Sequence, residues 1–101
     1  MRDKRRYLLV ETSAKITDDE RTFSNNLYQG LSRAIGEMGY HHVSPKVMKI
    51  VDENHFIIRS NLDGTGTLVA ALALVKRINN SDIAFYTLKS SGTIRAVQAK
   101  G

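Results

Sequence analysis

The stretch Val43-Ser44-Pro45-Lys46-Val47-Met48-Lys49-Ile50-Val51-Asp52-Glu53-Asn54-His55-Phe56-Ile57-Ile58-Arg59 decides the fold. Proline cannot donate to a β-ladder, so Val43 to Val51 reads as an edge strand whose regular part begins after Pro45. Asp52-Glu53-Asn54 is a turn, and His55 to Arg59 is a short, strongly apolar strand; the two strands make an antiparallel hairpin. Alternation in the second strand puts Phe56 and Ile58 on one face and His55, Ile57 and Arg59 on the other.

Outward from the hairpin, each side carries a helix and then a strand. Upstream, Thr17-Asp18-Asp19-Glu20 has the spacing of a capping box and opens a helix. Phe23, Leu27, Leu31, Ala34, Ile35 and Met38 recur at three- and four-residue steps and give that helix one apolar face. Gly36 and Gly39 weaken its last turns, and Gly39 is the expected stop. Before it, Tyr7 to Thr12 reads as a first strand behind a charged arm, residues 1–6. Downstream, Asp63-Gly64-Thr65-Gly66-Thr67 forms a flexible entry to a second helix from about Thr67 to Ile78, which Asn79-Asn80-Ser81 ends. Ile83 to Lys89 is a last strand, and residues 91–101 form a tail. The order β-α-β-β-α-β implies an α+β, ferredoxin-like (RRM-like) sandwich. In it a four-stranded antiparallel sheet carries two helices on one face, and one domain spans residues 1–101. That architecture hosts RNA binders, small hydrolases and ligand sensors alike, so it does not fix a function.

Fifteen Lys and Arg against ten Asp and Glu leave a net charge of +5, the footprint of a protein that meets a polyanion. There is no cysteine, which excludes a disulfide framework and a thiolate zinc site and makes an intracellular, cytoplasmic protein the expectation. The apolar stretch behind the basic start reaches only from Tyr7 to Val10, too short for a signal or membrane segment.

Four cations, Arg2, Lys4, Arg5 and Arg6, fall within five positions and can neutralise phosphates; a solvated tail is the alternative. Arg59, at the end of a central strand, could hold a phosphate or simply snorkel to water. Gly64-Thr65-Gly66-Thr67 precedes a helix but lacks the lysine and spacing of a P-loop. The second helix is apolar all round, which suggests that Leu68, Val69, Leu72, Leu74 and Val75 include a face covered by a protein partner. His41, His42 and His55 make a poor ligand set, so no metal site is expected, and no nucleophile-base arrangement or carboxylate pair indicates a catalytic residue. The glycine and aromatic consensus of RNA-recognition motifs is missing, which directs any RNA contact toward backbone and shape. In the tail, Ser91 to Gln98 offers hydroxyls and Arg95 around Gly92, suited to phosphate contacts.

Three segments in order carry a resemblance: Arg2-Asp3-Lys4-Arg5-Arg6-Tyr7, Phe56-Ile57-Ile58-Arg59 and Ser91-Gly92-Thr93-Ile94-Arg95. Together they resemble archaeal ribonuclease P protein component 2, over nearly the whole chain, with the closing segment the most specific. The resemblance implies a subunit of a ribonucleoprotein endonuclease that removes the 5′ leader from precursor tRNA. It further implies that the magnesium-dependent chemistry resides in ribonuclease P RNA, that the protein binds no cofactor and has no active site of its own, and that it pairs with ribonuclease P protein component 3. Carried over by residue, Arg5, Arg6, Arg59, Thr93 and Arg95 are the first candidates for RNA contact. Ala96-Val97 and Ser60-Asn61-Leu62-Asp63-Gly64 depart from the family pattern, the latter replacing a more basic loop. Two other classes compete. A small phosphate-binding enzyme would use Arg59 with Gly64 to Thr67, and a pure scaffold would need the second helix but not the basic arm.

Overall fold

A computed structural model describes residues 4–98, the side chains of Glu37 and Gln98 apart. Arg2 and the last three residues of the tail lie outside the described residues. The elements run β1 (Arg5–Thr12), α1 (Glu20–Val43), β2 (Lys46–Asp52), β3 (His55–Asn61), a 3-10 turn (Leu62–Gly64) and α2 (Thr65–Leu74). Then come β4 (Arg77–Ile78), β5 (Ser81–Asp82), β6 (Phe85–Ser91) and α3 (Ile94–Gln98). The main sheet has four strands in the order β2-β3-β1-β6, and every neighbouring pair is antiparallel. This is the expected α+β ferredoxin-like topology, with the hairpin strand β2 at one edge.

Register explains the layers. Leu8 faces Ile58 and Val10 faces Phe56 across the central pair. These four are fully buried beneath Phe23, Leu27 and Leu31 of α1 and Leu68 and Leu72 of α2. Phe56 sits at the centre, edge-to-face with Phe23 at 5.1 Å and with Phe85 at 5.9 Å. Such pairs add roughly 0.5–1.5 kcal/mol each beyond the area they bury.

The helix boundaries differ from the sequence expectation. Thr17 lies outside α1, and the N-cap is Asp19. A hydrogen bond from the Thr22 side chain is the main cause that holds the Asp19 carboxyl below its ordinary value. Gly39 does not stop the helix. Gly36 kinks it (φ 76°, ψ 170°), and the chain stays helical to Val43. Ser44 ends it in the left-handed region (φ 49°), with its amide donating to the Tyr40 carbonyl at 2.9 Å. Gly64 is no flexible entry: a Cβ there would stand 2.8 Å from the Val43 Cα, so glycine is needed for close approach. The Thr65 hydroxyl bonds the Leu62 carbonyl at 3.0 Å, and α2 begins at Thr65, two residues earlier than expected.

α2 stops at Leu74 and does not reach Ile78. Asn79 and Asn80 both take positive φ (51° and 66°). That is the signature of a type I′ turn, so the segment closes into the small β4–β5 hairpin where a longer helix was expected. The tail also folds. α3 packs against β1, β3 and β6. Val97 on it and Ile57 on β3 are fully buried, yet neither belongs to the main core. Since Ile57 points away from α1 and α2, the short helix covers part of the opposite sheet face.

Phe56→Ala should cost about 3–5 kcal/mol, as the removal of a buried aromatic does. Gly64→Ala should cost about 1–3 kcal/mol through overpacking against Val43. Urea titrations followed by circular dichroism measure both.

Candidate nucleic-acid interface

The sheet face opposite α1 and α2 gathers five cations. Along β1 and β3 the pairs Arg5–Asn61, Tyr7–Arg59, Leu9–Ile57 and Glu11–His55 share this face. On β2, Lys46 stands opposite Arg59 and Lys49 opposite Ile57. Lys46 and Lys49 are three positions apart, which in a regular strand would put them on opposite faces. A bulge between Val47 and Lys49 takes up the extra residue and turns both lysines the same way. A second bulge, in the β1–β6 register between Leu9 and Val10, sets Lys89 of β6 opposite Leu9. Arg5, Lys46, Lys49, Arg59 and Lys89 therefore lie on one face. The charge is confined to one end, because at the other His55 bridges two carboxylates, Asp52 at 2.8 Å and Glu11 at 3.4 Å.

At the basic end a groove of about 610 Å³ opens between the sheet and α1. Arg5, Lys46 and Arg59 line it together with Tyr28 and Tyr40. The Tyr28 hydroxyl accepts from the Val47 amide at 2.8 Å, which pins the ring to the edge strand. Burial, and next the neighbouring Tyr28, push the Tyr40 hydroxyl above its ordinary value. It stays protonated and able to donate. Two phenol donors among three cations suit an anion with several oxygens, such as a phosphodiester. Like charges about 10 Å apart repel by only roughly 0.4 kcal/mol in water, so the fold tolerates the cluster without a partner.

The predicted residues part company here. Arg5 and Arg59 join the basic face, in the pairs Arg5–Asn61 and Tyr7–Arg59, which lie two register steps apart. Arg5 and Arg6 are not an arm: both lie inside β1, and alternation sends Arg6 to the other side, where its Nε donates to Ser90 Oγ at 3.0 Å. Lys4 is exposed just ahead of the strand. Thr93 has a structural duty, its hydroxyl accepting from the Ala96 amide at 3.2 Å to start α3. Arg95 is exposed on that helix. Of the residues assigned to a partner, Leu68, Leu72 and Val75 are buried in the protein's own core. They cannot serve as a surface; Val69 (38% exposed) and Leu74 (62%) remain. Arg59 and the Gly64 to Thr67 turn do not meet as one anion site, since α2 lies on the opposite side of the sheet from Arg59. Among the described residues no group of three or more His, Cys, Asp or Glu is placed to hold a metal.

Sequence reasoning missed Lys46, Lys49, Lys89, Tyr28 and Tyr40. The lysines were hidden by the bulges, which alternation does not foresee. The tyrosines sit at i and i+12 on a helix whose kink could not be located.

Residues 6–101 match the sequence profile of the Rpp14/Pop5 family. Ribonuclease P protein component 2 of Methanobrevibacter smithii is 33% identical over 106 residues, covering 97% of this chain and 88% of that protein. The protein of the same name from Methanocorpusculum labreanum is 26% identical over 100 residues, covering 99% and 67%. A chain in the cryo-EM structure of yeast ribonuclease MRP superposes with a TM-score of 0.66 over 100% of this chain and 83% of its own, at 14% identity, which speaks to the fold.

Removing the cap on α3 separates its structural part from any contact part. Thr93→Ala should cost about 1 kcal/mol. The loss would be read as a lower melting temperature with faster amide exchange at Val97.

Proposed function

The chain belongs to the Rpp14/Pop5 family, and from that premise we propose that its basic sheet face binds ribonuclease P RNA and thereby helps that RNA cut precursor tRNA. It is a protein subunit of ribonuclease P, a ribonucleoprotein endoribonuclease that processes tRNA. The observation that carries the binding proposal is the convergence of Arg5, Lys46, Lys49 and Arg59 on one face. Cations so arranged release counterions when they meet a phosphate backbone, and they read backbone geometry more than base sequence. The wall of tyrosine and guanidinium fits the same ligand.

In this reading the protein contributes no catalytic group. Magnesium belongs with the RNA, and the protein's task is to hold the RNA's phosphates near one another against their own repulsion. Arg95, on the short helix at the basic end, extends the contact. Val69 and Leu74, exposed on α2, are the proposed docking points for component 3. The proposed site of action is the cytoplasm, in keeping with a chain that has no cysteine to form disulfides.

The test is reconstitution of precursor-tRNA cleavage with a cognate ribonuclease P RNA at limiting magnesium and component 3 present, with and without this protein. Cleavage should rise only when the protein is added and be absent without RNA; no effect with several RNAs, and no binding to component 3, would sink the proposal. Within that system, Arg5→Ala, Lys46→Ala and Arg59→Ala should each weaken RNA binding and lower the salt slope by about one unit. Arg6→Ala, on the other side of the sheet, should leave the slope unchanged.

A Leu74→Glu protein should keep its RNA affinity and lose copurification with component 3. Retained copurification would move the docking surface away from α2.

A further inference from the structure

The β4–β5 hairpin has no part in the basic face. It leans on the flank of α1, anchored by the buried Ile78, and is tied across its strands by Arg77 and Asp82 at 3.2 Å. Between hairpin and helix lies a hollow of about 290 Å³. Its walls are Asn26, Gln29 and Arg33 of α1 facing Arg77, Asn79 and Asn80. Four carboxamides and two guanidiniums thus surround one small space.

The turn itself argues for a purpose. A type I′ turn is cheapest as Asn-Gly, because both central residues need positive φ. Here the second position is Asn80, at φ 66°, so the chain accepts the left-handed cost and keeps a second carboxamide at the hollow's rim. Carboxamides present paired donors and acceptors that match the edges of a base, whereas guanidiniums bind phosphate in a bidentate fork or stack on a base. The groups in the hollow would be redundant for a bare phosphate. For an unpaired nucleotide they are complementary, and RNA is recognised at such splayed bases.

We propose that this hollow takes a single unpaired nucleotide of RNA, so that the protein grips RNA on its helix layer as well as on its basic sheet face. The two grips point away from each other across the sheet and the helices. They would therefore engage separate tracts of the RNA, which turns the subunit from a patch on one tract into a brace between two. The inference rests on the ribonuclease P reading.

The chain contains no cysteine, so one introduced thiol is unique. Asn25→Cys beside the hollow and Lys49→Cys on the basic face would each carry an iron chelate that cleaves nearby RNA in the ribonucleoprotein assembled with its other protein subunits. Cleavage of one tract from position 49 and of a different tract from position 25 is the expected result. Adding Asn79→Gly and Asn80→Gly keeps the turn and removes two carboxamides. Cleavage from position 25 should then fall at least about fivefold, the loss of one good hydrogen-bonded contact, with position 49 unaffected. Cleavage from 49 but none from 25, the same tract from both, or no response to the glycines would overturn the second grip. So would contact of position 25 with a protein subunit in place of RNA. No RNA cleavage from either position would instead fell the RNA-binding reading of the sheet face as well.

Discussion

The antiparallel pairing of β1 with β3 governs the rest of the molecule. It fixes which residues of the two central strands look inward, and because side chains alternate, the choice made for one face is made for the other. Burying Phe56 and Ile58 under the helices obliges His55, Ile57 and Arg59 to point the opposite way. The apolar core and the charged face are two consequences of a single register. A slip of one residue would bring Arg59 into contact with the helices and expose Phe56.

Much of this was legible in the residues. The hairpin around Asp52, the alternation through Phe56 and Ile58, and the spacing of Phe23, Leu27 and Leu31 all repeat at a strand or helix period, so the topology follows from local pattern. What stayed hidden depends on contacts between distant parts of the chain. No periodicity announces that Lys46 and Lys49 share a face, because the extra residue is absorbed by a bulge opposite β3. Nor does composition tell Gly36, which kinks α1, from Gly39, which does not. The apolar run of the second helix suggests a face covered by a partner. In the event three of the five residues singled out there are core, and alanines fill much of the exposed side.

The short C-terminal helix changes how the other sheet face should be regarded. A ferredoxin-like sheet with helices on one side leaves the other open to water, and Ile57, fully apolar at its centre, would be stranded there. Val97 helps to remove it from solvent. The segment that looked like a tail of phosphate-binding residues is therefore also a cover, and Thr93 serves the helix before any ligand. Sequence motifs record such double duty as a single signal, and only the folded arrangement separates the parts.

β2 lies at the edge of the sheet, where α1 covers part of the ladder: the Val47 amide donates to the Tyr28 hydroxyl at 2.8 Å and the Ile50 amide to Glu20 Oε1 at 3.2 Å. An edge left wholly open would be a template for pairing with another copy of the chain. The two irregularities in the β2–β3 ladder, between Val47 and Lys49 and between Ile50 and Asp52, and the lysines of β2 roughen this edge further, since a foreign strand would meet broken ladder spacing and ammonium groups that repel their own kind. A subunit made before its RNA is at hand would thus be guarded against aggregation by the same residues that later give it adhesion, and neutralising Lys46 and Lys49 would compromise solubility along with affinity.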